Sequence, residues 1–155
     1  MHEGGRLTIS AIVCAYNEAA YLPACIHALL AQTRRPDEII VVDNASTDGS
    51  GELARAIPGV RVVREPARGL VLAREAARVA SRGDVLAYVD ADCRPPITWL
   101  AQVEQRFLQR EAVVAVTGPY RFYDWDLFGR MLLRAYDVLV APPTHWLVHH
   151  GLGIG

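Results

Sequence analysis

An α/β fold with a mainly parallel sheet flanked by helices follows from three features of this chain. Short runs rich in Val, Ile and Ala alternate with longer segments of helical periodicity, as at residues 7–15 and then 19–32. Strands that alternate with helices imply right-handed βαβ units, and hence parallel strands. Three acids, Asp43, Asp90 and Asp92, fall at the C-terminal ends of apolar runs. That is the edge at which open α/β sheets bind ligands.

Residues 1–5 are a loose end, and residues 7–15 form the first strand. Residues 19–32 set Leu22, Cys25, Ile26, Leu29 and Leu30 at spacings of 3, 4, 7 and 8, the apolar stripe of a helix. Asn17 is placed to cap that helix and Glu18 to sit in its first turn. Pro36 breaks the chain before a second strand at 38–42, which ends on Asp43. The turn Asn44-Ala45-Ser46-Thr47-Asp48-Gly49-Ser50 offers Ser46 as the cap of a short helix reaching Ile57. A third strand spans 59–64 and a helix spans 70–82, with Gly83 placed to end it. Residues 85–89 continue as a strand buried on both faces. Pro95 and Pro96 stop it, a helix follows at 97–108, and a further strand is expected at 111–117.

Composition narrows the function. The 155 residues suit one domain with a core of useful size, and 52% hydrophobic content excludes disorder. A net charge of −1 without a basic patch argues against a nucleic-acid partner. Cys14, Cys25 and Cys93 lack CxxC spacing, which points to thiols in a reducing, cytoplasmic compartment rather than to disulfides or zinc. No long apolar stretch follows a basic start, so no signal peptide is expected.

The stretch from Val85 to Asp92 carries the chemistry. In extended backbone Asp90 and Asp92, spaced i, i+2 around Ala91, face one point. Two such anions about 5 Å apart repel by about 3 kcal/mol at an effective dielectric near 20. A hard divalent cation, Mn²⁺ or Mg²⁺, relieves that repulsion while keeping sites for phosphate and water. A solvated acidic turn is the plainer alternative.

The last third changes character. Residues 125–140 hold Leu127, Phe128, Met131, Leu132, Leu133, Tyr136, Leu139 and Val140, interrupted by Arg130, Arg134 and Asp137, with apolar runs far short of a membrane span of about 20 residues. A core helix is the simpler reading; a helix on a membrane surface or beside an acceptor groove is the alternative. The closing Gly151-Leu152-Gly153-Ile154-Gly155 neither follows a clear strand nor opens a helix, so it is no dinucleotide fingerprint.

Three segments together carry a resemblance. Ile12-Val13-Cys14-Ala15-Tyr16-Asn17-Glu18 is similar to the opening strand and loop of family 2 glycosyltransferases, which have the Rossmann-like GT-A fold. The segment from Glu38 to Ser50 resembles their second signature, and Asp90-Ala91-Asp92 resembles their DxD metal motif. The resemblance covers residues 7–118. It implies that Ala15, Tyr16 and Glu18 border the donor nucleotide and that Asp43 hydrogen-bonds its base, usually uracil. It implies that Asp90 and Ala91 lie near ribose and metal, with Asp92 a direct ligand of Mn²⁺ or Mg²⁺. Arg68, Gly69 and Arg74 match a turn and helix start beside the nucleotide, where a helix N-terminus favours anions. The implied reaction is inverting transfer of a sugar from a nucleotide-sugar, UDP-linked by family habit, to a saccharide or lipid-linked acceptor. Membrane contact would then be peripheral, at the inner face.

The resemblance is incomplete. The family's acceptor base lies in a later segment, and no acid follows Asp137. The chain is therefore expected to be a single nucleotide-sugar-binding domain, residues 1–155, cut short before the acceptor half. A nucleotide-binding fragment without transfer activity is the alternative. His145, His149 and His150 are expected in an exposed loop, although some GT-A enzymes recruit a late histidine to the metal. A response-regulator phosphoacceptor would need a lysine near its aspartates, and the chain contains none.

Overall fold

The computed structural model describes residues 6–109 and 113–118. The chain divides into two compact units, Met1–Val116 and Thr117–Gly155. The elements described below lie in the first. The expected helix at 125–140, the three late histidines and the terminal glycines fall outside the described residues.

Among the described residues eight elements alternate: β1 (Ile9–Ala15), α1 (Leu22–Leu30), β2 (Glu38–Asp43), α2 (Ser50–Ala56), β3 (Val60–Arg64), α3 (Leu70–Ala80), β4 (Val85–Asp90) and α4 (Trp99–Gln109). The strands form one parallel sheet in the order β3-β2-β1-β4. The chain steps outward from β1 to β3, then crosses back over α3 to add β4 on the other side of β1. That reversal is the switch point at which open α/β sheets form a crevice.

Side-chain alternation splits the core into two layers. Ala11, Val13, Ala15, Ile39 and Val41 pack against Leu22, Cys25, Ile26 and Leu29 of α1 and Ala54 of α2. Ile12, Ile40 and Val42 pack against Ala73 and Ala77 of α3. Leu100 of α4 joins Ile9, Val85 and Ala87 on the first face. β1 and β2 are thus buried on both sides. β4 is not: Val85 and Ala87 are buried while Tyr88 and Asp90 are exposed, and among the described residues β4 has a strand neighbour on one side only.

Several boundaries differ from expectation, each for a local reason. α1 starts at Leu22, helped by a proline in its first turn, and Asn17 does not cap it. Asn17 instead adopts φ +56° in the preceding loop, and Glu18 precedes the helix, its carbonyl accepting from Tyr21 and Leu22. α2 starts at Ser50 behind Gly49 at φ +89°, so Ser46 is no cap. α3 ends at Ala80, and Ser81 caps it by donating Oγ–H to the Ala77 carbonyl at 2.6 Å. Gly83 serves another purpose: a Cβ there would lie 2.6 Å from Ser10 N and Oγ. The strand expected at 111–117 is not formed over residues 113–117, where Val114 and Val116 stand exposed without a sheet partner. Among the described residues no helix is long and apolar enough to cross a membrane.

The N-terminal edge of the sheet is tied by ions. Burial pushes the Asp37 carboxyl up, but hydrogen bonds from the Ile9 N–H and Arg34, with the Arg34 and Arg6 charges, outweigh it and hold Asp37 below its ordinary 3.8. Burial likewise raises Glu38, and bonds from Ser10, Arg61 and the Arg82 N–H bring it below its ordinary 4.5. Both carboxylates bind fewer protons folded than unfolded, so their stabilisation is complete above pH 4.5 and fades as pH falls through and below 3.8. Thermal unfolding followed across pH 2.5–7 (about the carboxylate range) is expected to show this acid-side slope, and Asp37→Asn with Glu38→Gln to flatten it. Gly83→Ala is expected to cost about 1–3 kcal/mol by overpacking against Ser10, measured by denaturant unfolding.

Candidate functional site

Two loops rise from the C-terminal edge and bond to each other through short polar side chains. The β1–α1 loop donates from Asn17 N–H to Ser46 Oγ (3.2 Å), from Glu18 N–H to Ser50 Oγ (2.9 Å) and from Ala19 N–H to Asp48 Oδ2 (2.9 Å). In return Thr47 N–H donates to Asn17 Oδ1 at 2.8 Å. Asp48 also accepts from Ser50 N–H and Oγ–H, and the bonds from Ser50 and Ala19 hold its carboxyl below the usual range. The N–H groups of Asn17, Glu18, Ala19, Ser46, Thr47 and Ser50 are thus met by side chains, the alternative that short polar residues offer a tight loop.

A cleft of about 170 Å³ opens where these loops meet α3, lined by Cys14, Ala15, Tyr16, Asn44, Arg68, Gly69, Leu70 and Ala73. It is smaller than the 300–1,000 Å³ or so of a complete small-molecule site. The Arg68 guanidinium lies 3.9 Å from the Tyr16 ring centroid, a cation–π stack. Burial raises the Cys14 thiol above its ordinary value, the Arg74 charge opposing and Asp90 adding to it. Arg74 is outside the cleft lining but its field reaches that wall, and its guanidinium stands 5.9 Å from the Tyr88 ring.

The acids lie next door. Asp90 is the register partner of Cys14, so the end of β4 sits one strand spacing from the cleft. Carboxylate oxygens of Asp90 and Asp92 and the Cys93 thiol lie within 4.8 Å of one another. The convergence has a different origin from the expected one: β4 ends at Asp90, and a turn carries Asp92 round. Glu18 is raised by burial, then by the Asp92 and Asp48 charges, which places a third carboxylate near the pair. The donor set suits a hard divalent cation through its two carboxylates. Burial and Asp92 push the Cys93 thiol up to about 11, and its soft sulfur suits a hard cation less well than the two carboxylates do.

The structure thus brings Ala15, Tyr16, Arg68 and Gly69 together in one cleft, and Asp90 and Asp92 into one pair beside it. Asp43 is placed elsewhere. It is 7% exposed, outside the cleft lining, with Oδ1 accepting from Ser46 N–H at 3.1 Å and Oδ2 4.0 Å from Arg55. Ala91 is 4% exposed and packs in the α1-side core. Cys14, Asn44, Leu70 and Ala73 line the cleft without having been singled out. Strand alternation holds the signal for Asn44: if Asp43 faces α1 and α2, its neighbour faces α3.

A sequence profile for "Glycosyl transferase family 2" matches residues 10–151. The uncharacterized glycosyltransferase EpsJ of Bacillus subtilis is 36% identical over 147 residues, 91% of this chain and 43% of that protein. Glycosyltransferase AglE of Haloferax volcanii is 35% identical over 99 residues, 59% of this chain and 33% of its own. Among solved structures, glucosyl-3-phosphoglycerate synthase from Mycobacterium tuberculosis in complex with uridine-diphosphate superposes with a TM-score of 0.66 at 30% identity, covering 84% of this chain and 50% of that one. The same enzyme is known in complex with Mn²⁺, uridine-diphosphate and phosphoglyceric acid. The chain spans half or less of the length of these relatives.

The tight packing at Asp43 is testable. A Cβ on Gly51 would lie 2.3 Å from Asp43 Oδ2. Gly51→Ala is expected to cost about 1–2 kcal/mol in denaturant unfolding, because displacing the carboxylate outweighs the helix propensity gained. In an Asp43→Ala background the same change is expected to be neutral or stabilising.

Proposed function

The chain belongs to glycosyl transferase family 2 and has the parallel sheet of its GT-A fold, and on that premise we propose that it holds a nucleoside-diphosphate-sugar, UDP-linked, for inverting transfer to an acceptor hydroxyl. The carrying observation is the register of Cys14 with Asp90, which sets the cleft one strand from a carboxylate pair. The uridine-diphosphate and Mn²⁺ complexes of a relative 30% identical to this chain support the donor and the ion.

In this reading Tyr16 and Arg68 flank the base and Ala15 floors the cleft. Asp90 and Asp92 hold Mn²⁺ or Mg²⁺, which when bound offsets the charge building on the departing diphosphate. Glu18 adds negative potential beside that pair, and Arg74 adds positive potential toward the cleft wall. Asp43 accepts from Ser46 N–H, which keeps the β2–α2 turn in shape, and its remaining acceptor sites serve the N–H edge of the base. The acceptor is the hydroxyl of a saccharide, free or lipid-linked.

Calorimetric titration with UDP is expected to show binding in the presence of Mn²⁺, weaker binding of GDP, and at least about a tenfold loss, equal to 1.4 kcal/mol, in Asp92→Ala. Equal binding with and without Mn²⁺, or an unchanged Asp92→Ala, would count against this arrangement.

A further inference from the structure

Asn44 is 5% exposed, and its carboxamide bonds to one distant loop, residues 65–69. Nδ2 donates to the Ala67 carbonyl at 2.7 Å and to the Glu65 carbonyl at 3.3 Å. Oδ1 accepts from Gly69 N–H at 2.8 Å. The orientation of the amide is set by these partners: turned over, its oxygen would face two carbonyls and its NH₂ another N–H. The backbone of Asn44 makes the opposite connection, its N–H donating to the Ala15 carbonyl at 2.9 Å. One residue therefore joins the end of β1, which carries Tyr16, to the loop that carries Arg68. Gly69 sits at φ +155°, a backbone conformation that side chains disfavour, and its N–H is held there by Asn44.

We propose that Asn44 is a positioning residue of the cleft: its carboxamide sets the loop at residues 65–69 so that Arg68 stacks on Tyr16. The stack is a contact between two exposed or half-exposed groups on separate loops, and neither loop alone fixes their separation. Aspartate has the same shape but not the same function, because it presents an acceptor to the Glu65 and Ala67 carbonyls and has no donor for them. Alanine removes all three bonds at once. The effect on the loop is independent of the ligand; the effect on binding rests on the nucleotide reading above.

Two measurements test this. In the ligand-free protein, amide hydrogen exchange at Gly69 is expected to quicken at least about tenfold in Asn44→Ala and in the isosteric Asn44→Asp, with strand amides such as Ile40 unchanged. Unchanged Gly69 exchange overturns the proposal. So does an equal loss of protection at Ile40 in both variants, which would make Asn44 a residue of the fold at large. In the second measurement, UDP affinity with Mn²⁺ is compared for the native chain, Asn44→Ala, Arg68→Ala and the double variant. Asn44→Ala is expected to weaken binding about tenfold alone and less than about twofold in the Arg68→Ala background, as coupled residues do. Equal losses in both backgrounds overturn the proposal. If the native chain binds no UDP, the donor reading fails, while the exchange measurement still decides the role of Asn44.

Discussion

All four strands run the same way, so all four leave the sheet through one edge, and the chain reverses direction in the sheet about β1. That constraint governs the rest of the structure. A strand with parallel partners on both sides must have the loops of those partners beside its own. The loops after β1, β2 and β4 consequently share one rim, and the residues they carry meet although they lie tens of positions apart. The crossover through α3 adds the fourth contributor, since the helix must begin near that rim after its connecting loop passes over β1 and β2. No single segment contains the cleft; its wall comes from the ends of β1 and β2, the loop before α3 and α3 itself.

Proximity alone would leave the rim loops free to vary in shape, and here polarity limits them. Asn17, Ser46, Asp48 and Ser50 bind backbone donors of one loop to side chains of the other. Each such bond contributes about 1 kcal/mol net, but leaving a crowded amide unmet costs more, so the network selects one arrangement more than it stabilises the fold. The opposite edge uses longer charged groups, Arg34, Asp37, Glu38 and Arg61, in ion pairs that anchor strand starts to helix ends. The two edges thus differ: ion pairs tie the N-terminal edge together, whereas at the C-terminal edge the carboxylates of Asp90 and Asp92 lie exposed.

Asp43 and Asn44 illustrate how narrowly the pleat separates two tasks. Successive side chains on an extended strand point to opposite faces. Asp43 faces Gly51 and Arg55 on the α2 side, while Asn44 faces the cleft and the loop before α3. Which of two adjacent polar residues lines the cleft is a question of parity, and parity is set by the buried neighbours. Val41 belongs to the α1–α2 layer and Val42 to the α3 layer, so Asp43 follows the former and Asn44 the latter.

Periodicity sufficed for the parallel α/β architecture and for every strand and helix of the described core, because short β-branched runs and apolar stripes are local signals. Helix ends were less legible. Asn17, Ser46 and Gly83 are all sound capping residues by type, yet tertiary partners claim them: Thr47 takes Asn17, Asp43 and Asn17 take Ser46, and Ser10 excludes any side chain at Gly83. The acid pair was visible as a motif, though a turn rather than a strand brings its members together. Residue types and spacing determined by themselves that acids would end apolar strands at one edge. Only the tertiary structure decided that Arg68 would lie on Tyr16 and that Asn44 would hold it there, because those contacts join segments whose separation along the chain carries no information about their distance in space.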